Sequence, residues 1–279
     1  MKPVLVWIYE WPLRGYGAFV GACLVVGMSL VMRYGRRSGL PVQGLLDAAF
    51  ASVIGGIVGS RLLYVLVHYR DFMEAPLTAL RVWEGGMMYF GGLLSGMVVG
   101  SIVAIKRGVN LWAGLDTVAP AMGASQAIGR VACLIAGCCY GMEIGGPWAI
   151  SFPHDELSSI PSILQGVPLL PVQVLQIGEG LFLWWLGVWL FKHRRFDGQP
   201  FLIVLGVAGL TRFVLEGLRD DDARGFFFQE TFGRTFSTSR VLGLGMMAAA
   251  LVALVIRHTR QAAPRGDLPV VPEVAPEQA

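Results

Sequence analysis

The sequence predicts an all-α, polytopic membrane protein with about seven transmembrane helices. Of its 279 residues, 54% are hydrophobic and 15% are charged, a balance unlike that of soluble domains. Its apolar stretches recur at lengths near the ~20 residues that cross a bilayer as a helix. Most of the 37 glycines lie inside those stretches, where they let helices approach closely. The net charge of +3 carries no nucleic-acid signal, so no nucleic-acid partner is expected.

Residues 1–15 hold Trp7, Tyr9, Trp11 and Arg14 and read as an interfacial segment. Span 1 runs from Tyr16 to Met32 and lacks the cleavage pattern of a signal peptide, so it is expected to be retained. Span 2 covers Gly44 to His68 and span 3 Gly85 to Ile105. Span 4, Leu111 to Tyr140, is long enough to leave the hydrocarbon or bend at Pro120. Residues 142–170 form the longest polar insertion, with four prolines and neither lysine nor arginine. Spans 5, 6 and 7 follow at Pro171 to Phe191, Phe201 to Leu218 and Val241 to Ile256. Between the last two lies an aromatic and charged loop, 219–239. The expected organisation is one transmembrane domain over 1–260 and a disordered cytoplasmic tail over 261–279, rich in proline and alanine.

Lysine and arginine concentrate in the short connectors after the odd-numbered spans. These are Arg33, Arg36 and Arg37; Lys106 and Arg107; Lys192, Arg194 and Arg195; Arg257 and Arg260. The positive-inside rule therefore places the N-terminus outside and the C-terminus in the cytoplasm. Arg61, Arg130, Arg212 and Glu216 then fall in the outer halves of their spans, beside the long loops. A charge at membrane depth is costly and needs a partner or a task.

Two patterns stand out. If span 4 stays helical to its end, Arg130, Cys133, Gly137 and Gly141 share one face: a guanidinium followed by small side chains, with room beside it for something bulky. Arg212, Glu216 and Arg219 share a face of span 6, where a carboxylate between two guanidiniums lowers the cost of burial. Either set also fits a purely structural ion-pair network. Arg61, Tyr64 and His68 form a third outer stripe, which snorkelling to the interface would equally explain. Arginines converging from spans 2, 4 and 6 suggest a phosphate site, since the guanidinium fork matches phosphate oxygens, and in a bilayer the nearest phosphate is a lipid headgroup. The glycine pairs of Trp83-Glu84-Gly85-Gly86-Met87-Met88-Tyr89-Phe90-Gly91-Gly92 suit either tight helix packing or backbone held against a ligand. Asp116 is expected to cap its own helix. Cys23, Cys133, Cys138 and Cys139 show neither a disulfide framework nor a C-x-x-C or Cys/His zinc pattern, so no metal is expected.

The order of these motifs resembles the bacterial prolipoprotein diacylglyceryl transferase family. The resemblance runs from R-x-Y-G at Arg14 to Gly17 through G-x-R-L-x-Y-V at Gly59 to Val65 and W-E-G-G-M at Trp83 to Met87. It continues through Asp116-x-x-Ala119-Pro120, Gly129-Arg130, Tyr140-Gly141, Pro171-Val172-Gln173 and the R-F-x-x-E-x-x-R run from Arg212 to Arg219. It implies a seven-span enzyme of the bacterial inner membrane, without a cofactor, that moves the diacylglyceryl group of phosphatidylglycerol to the lipobox cysteine of a prolipoprotein. A thioether forms and glycerol 1-phosphate leaves. By position, Arg130 and Arg212 would hold the phosphate and Glu216 would orient an arginine or aid substrate binding. Tyr16, Arg61, Gly91, Gly92, Cys133, Gly141 and Arg219 would line the substrate site. The family's usual asparagine, phenylalanine, asparagine and glutamate after G-R are here Cys133, Leu134, Ala136 and Cys138. Its usual histidine before the second glycine pair is Phe90, beside Tyr89, and the histidine and glutamate around P-x-Q are Leu170 and Gln176. Three readings follow from the missing base: the arginines alone activate the thiol, Tyr89 substitutes as a catalytic residue, or the chain is a divergent paralogue that binds anionic lipid or lipoprotein without transfer. A transporter is disfavoured, because the charges cluster toward one leaflet.

Overall fold

In a computed structural model of the protein, residues 4–8, 11–73, 76–81, 86–154, 160–219 and 237–262 are described. Helices α1 (Gly15–Arg37), α2 (Val42–Val67), a one-turn α3 (Tyr69–Phe72), α4 (Tyr89–Lys106), α5 (Leu111–Ala136), α6 (Val172–His193), α7 (Gln199–Leu215) and α8 (Thr238–Ala262) follow in chain order. Six of them, α1, α2, α5, α6, α7 with its 3-10 extension, and α8, are long and apolar enough to cross a membrane. The shorter α4 has 18 residues. At ~1.5 Å per residue it rises about 27 Å, close to the ~30 Å hydrocarbon core. The protein is a multi-pass membrane protein, and these seven apolar helices match the seven stretches read from hydropathy.

The helices pair through small residues. An added Cβ at Gly91 would lie 2.3 Å from the Gly59 carbonyl oxygen, and one at Gly92 would lie 3.1 Å from that of Gly56. The glycine pair of α4 is therefore the seam with α2, and helix packing rather than ligand contact accounts for Gly91. Gly92 also borders a groove of about 460 Å³ between α2 and α4, lined by Ser52, Gly56, Ser60, Met87 and Met88 among others. On the other side, Gly123 and Gly187 bring the backbones of α5 and α6 together; Gly187 packs directly on Pro120. Helix α5 continues through that proline, and Gly187 lets α6 approach closely at the same level.

Two segments gain local structure and one expectation changes. The aromatic N-terminal segment forms an antiparallel hairpin of β1 (Val4–Ile8) and β2 (Trp11–Arg14). Within the polar insertion, β3 (Ile150–Ser151) pairs with β4 (Pro168–Leu169), and Tyr140, Phe152, Ile160 and Leu169 form a small buried cluster beneath it. Asp116 does not cap its own helix, where Asn110 accepts hydrogen bonds from the backbone N–H groups of Trp112 and Ala113. It is fully buried and accepts from the N–H groups of Gly198 (2.9 Å) and Phe201 (3.3 Å), so it caps α7 from α5. Arg194 stands 3.6 Å from it. Sequence spacing could not reveal a cap supplied by another helix. The expected 219–239 loop and 261–279 tail fall almost entirely outside the described residues.

Candidate active site

The strongest charge cluster lies where α7 ends. A 3-10 turn, Glu216–Leu218, follows Leu215, and the chain leaves it extended at Arg219. Tightening this last turn keeps Glu216 between both arginines although the helix has stopped. Glu216 is fully buried and Arg219 is 7% exposed. The Arg219 guanidinium donates to Glu216 Oε2 at 3.1 Å, and that of Arg212 lies 3.7 Å from the same oxygen. Ser237 donates to Glu216 Oε1 at 3.4 Å, and Arg212 donates to Ser239 at 3.1 Å. The start of α8 thus closes the cluster. A carboxylate gripped by two guanidiniums and a hydroxyl is a satisfied network, which is what burial at this depth demands.

Span 4 departs from the sequence reading. Helix α5 stops at Ala136, because Gly137 turns left-handed at φ 75° and caps it. Arg130 and Cys133 remain on the helix, while Gly141 does not share their face. Gly141 instead pairs with Arg219 in an isolated antiparallel bridge and donates its N–H to Leu170 O at 3.0 Å. An added Cβ there would lie 2.8 Å from both Leu170 O and Leu218 O. Only glycine lets three backbone segments meet at this point. Gly141 therefore fixes Arg219 beside the end of α5.

Between Gly137 and Gly141 the chain brings Cys133, Cys138 and Cys139 together, their sulfurs all within 4.8 Å of one another. All four cysteines are free thiols. Hydrogen bonds from the Cys133 and Cys138 thiols pull the Cys139 thiol well below the ordinary range, burial opposes them, and the Arg219 and Arg130 guanidiniums reinforce the pull. Arg130 is half-buried and makes no hydrogen bond or ion pair among the described residues. Arg130 and Arg219 thus act on one sulfur, while Arg219 and Arg212 share one carboxylate.

Arg61 does not join them in this way. Its guanidinium donates to the carbonyls of Thr78 (2.8 Å), Ala79 (2.9 Å) and Gly86 (3.1 Å) and lies over the rings of Tyr64 and Phe72. It holds the loop between α2 and α4, so the expected convergence of three spans reduces to two arginine-bearing segments. The groove between α2 and α4 is bordered by none of Arg130, Arg212 and Glu216. Tyr16 and Tyr89 sit in the first turns of α1 and α4, and their side chains lie outside the described residues.

Sequence reasoning assigned no role to three groups. Glu179, a carboxylate inside α6, accepts a short hydrogen bond from Thr211, next to Arg212; a lone acid in an apolar span was the available signal. Gln173 and Gln176 are buried, and their Oε1 atoms have no partner among the described residues. Gln173 donates through Nε2 to Cys138 O at 2.8 Å.

Comparison with known proteins decides the family. A family model described as "Prolipoprotein diacylglyceryl transferase" matches residues 3–256. The chain belongs to this family. A Geobacter sulfurreducens relative named phosphatidylglycerol–prolipoprotein diacylglyceryl transferase is 29% identical over 95% of this chain and 98% of its own length. One of the same name from Bordetella parapertussis is 33% identical over 72% of this chain and 78% of its own. A Clostridium perfringens relative, whose name adds the number 2, is 29% identical over 79% and 84%.

Proposed function

We propose that the protein transfers the diacylglyceryl group of phosphatidylglycerol to the lipobox cysteine of a prolipoprotein in the bacterial inner membrane. The acceptor sulfur attacks the glyceryl carbon bonded to the headgroup phosphate. A C–S bond forms, the C–O bond breaks, and glycerol 1-phosphate leaves. The observation that carries this reading is the pairing of a fixed cationic cluster, Arg212–Glu216–Arg219, with Arg130, which has no partner among the described residues. Arg130 and Arg212 supply guanidiniums to the departing phosphate. Glu216 sets the position of Arg212 and Arg219 and offsets one of their two charges before lipid arrives. Preorganised cations of this kind contribute about 3–4 kcal/mol each to the stabilisation of developing charge. The basic connectors after α1, α4, α6 and α8 support an outside N-terminus and a cytoplasmic C-terminus. In that orientation the cluster and the insertion at 142–170 face outward, where secreted prolipoproteins arrive.

The test is transfer of diacylglyceryl from phosphatidylglycerol to a lipobox peptide in vesicles, with complementation of a strain depleted of its own transferase. Arg130→Ala and Arg212→Ala are each expected to reduce transfer about 10²–10³-fold. Unchanged transfer in both variants overturns the proposal.

A further inference from the structure

The three clustered thiols have no place in the arginine chemistry above. We propose that Cys133, Cys138 and Cys139 form a three-thiolate site for a thiophilic divalent cation, zinc above all, whose fourth position receives the acceptor thiol. The site stands on the geometry of the thiols, and its catalytic use rests on the transferase reading.

The sulfurs lie within 4.8 Å of one another. Zinc–sulfur bonds of ~2.3 Å in a tetrahedron set sulfurs about 3.8 Å apart, so closure asks only for side-chain adjustment. The backbone is shaped for this convergence. Gly137 at φ 75° ends α5, and Cys139 at φ 61° is the non-glycine residue with a left-handed backbone among the described residues. A β-carbon in that conformation costs of order 1 kcal/mol or more and persists where the surroundings impose it. Here it turns the Cys139 side chain back toward Cys133 and Cys138. The loop is pinned from α6: Gln173 donates to Cys138 O at 2.8 Å and leaves its own Oε1 buried with no partner among the described residues. An orphaned buried acceptor calls for a donor, which an incoming thiol or a bound water would supply.

The charges fit as well. Three thiolates around a divalent cation carry one net negative charge, and a fourth thiolate adds another. Arg219 bridges Gly141, two residues after Cys139, and Arg130 precedes Cys133 by three residues on α5, so both cations sit beside the thiol loop. The same Arg130 is placed for the leaving phosphate, so nucleophile and leaving group would meet at one point. Three protein ligands and an open position are the hallmark of a catalytic rather than a structural zinc site. Held by Cys133, Cys138 and Cys139, the cation would lower the cost of deprotonating the acceptor thiol, whose proton would pass to water. The acceptor sulfur would then attack the glyceryl carbon, and the C–O bond electrons would leave with glycerol 1-phosphate. A cation bound there would activate the thiol in a sequence that carries Phe90 and Leu170 where the family usually has histidines.

The test uses the full-length chain purified in detergent. Elemental analysis after zinc exposure and chelator-buffered washing is expected to find about one zinc per chain. Cobalt titration of the unmutated chain is expected to give thiolate-to-cobalt charge-transfer absorption. Cys133→Ser, Cys138→Ser and Cys139→Ser are each expected to weaken retention about tenfold or more. Cys23→Ser, whose thiol donates to Ser125 O on a different helix contact, is expected to retain metal. A chain that stays metal-free and gives no cobalt–thiolate band overturns the site, as does retention unchanged in all three variants. Transfer lost on chelation and restored by zinc supports the catalytic use. Transfer unaffected by complete metal removal overturns that use and leaves the transferase reading intact. Stoichiometric metal without transfer overturns the transferase reading and supports the site.

Discussion

Glu216→Gln removes the carboxylate charge that Arg212 and Arg219 share while keeping the shape of the side chain. The consequences for the two arginines differ. Arg219 is 7% exposed and 3.1 Å from the carboxylate, so without that charge a buried guanidinium loses its ion partner at Glu216. Breaking a buried pair in this way costs about 3–5 kcal/mol. Arg212 is 28% exposed and 3.7 Å away, so water takes over much of its solvation and its share is below about 1 kcal/mol. The expected loss is therefore about 3–5 kcal/mol and comes almost wholly from Arg219. Equilibrium unfolding in mixed micelles, followed by tryptophan fluorescence, measures it. The double variant Glu216→Gln with Arg219→Gln removes both charges, so it is expected to be markedly less destabilised than the sum of the single variants, with a coupling of about 1–3 kcal/mol. A Glu216→Gln cost under about 1 kcal/mol, or strict additivity in the double variant, would refute the claim that this network is buried and mutually compensating.

Gly91→Ala places a methyl group 2.3 Å from the Gly59 carbonyl oxygen, backbone against backbone; it is expected to destabilise by about 1–3 kcal/mol or more in the same unfolding assay. Gly17→Ala, which meets nothing within 4 Å, serves as its near-neutral counterpart. Arg61→Ala releases the carbonyls of Thr78, Ala79 and Gly86, so protease cleavage between α2 and α4 is expected to accelerate about tenfold. The KM for phosphatidylglycerol should rise less than in Arg130→Ala. Asp116→Ala uncaps α7 from within the core and is expected to cost about 2 kcal/mol in unfolding free energy, the upper end for a helix cap because the site is buried.

The sequence by itself determined the class of the molecule, the helical spans and the charged spacing at the end of α7. Each depends on neighbours along the chain. Hydropathy over ~20 residues sets whether a helix can live in lipid, and residues three or four apart on a helix meet whatever else the fold does. Arg212, Glu216 and Arg219 were therefore legible, even though the helix tightens beneath them. The order of motifs likewise exposed the family resemblance. Tertiary structure alone decided where the partners come from. Asp116 caps a helix more than eighty residues away, since its acceptor oxygens reach the N–H groups of Gly198 and Phe201 only after α5 and α7 pack. Arg61 turned out to serve loop carbonyls, and Gly91 to serve a helix seam. The three thiols carry no recognisable spacing, because Gly137 breaks the helix between them and Cys139 takes a left-handed turn. Short-range pattern fixes what each segment is; which side chains share a site is settled by backbone turns and helix contacts that no local period encodes.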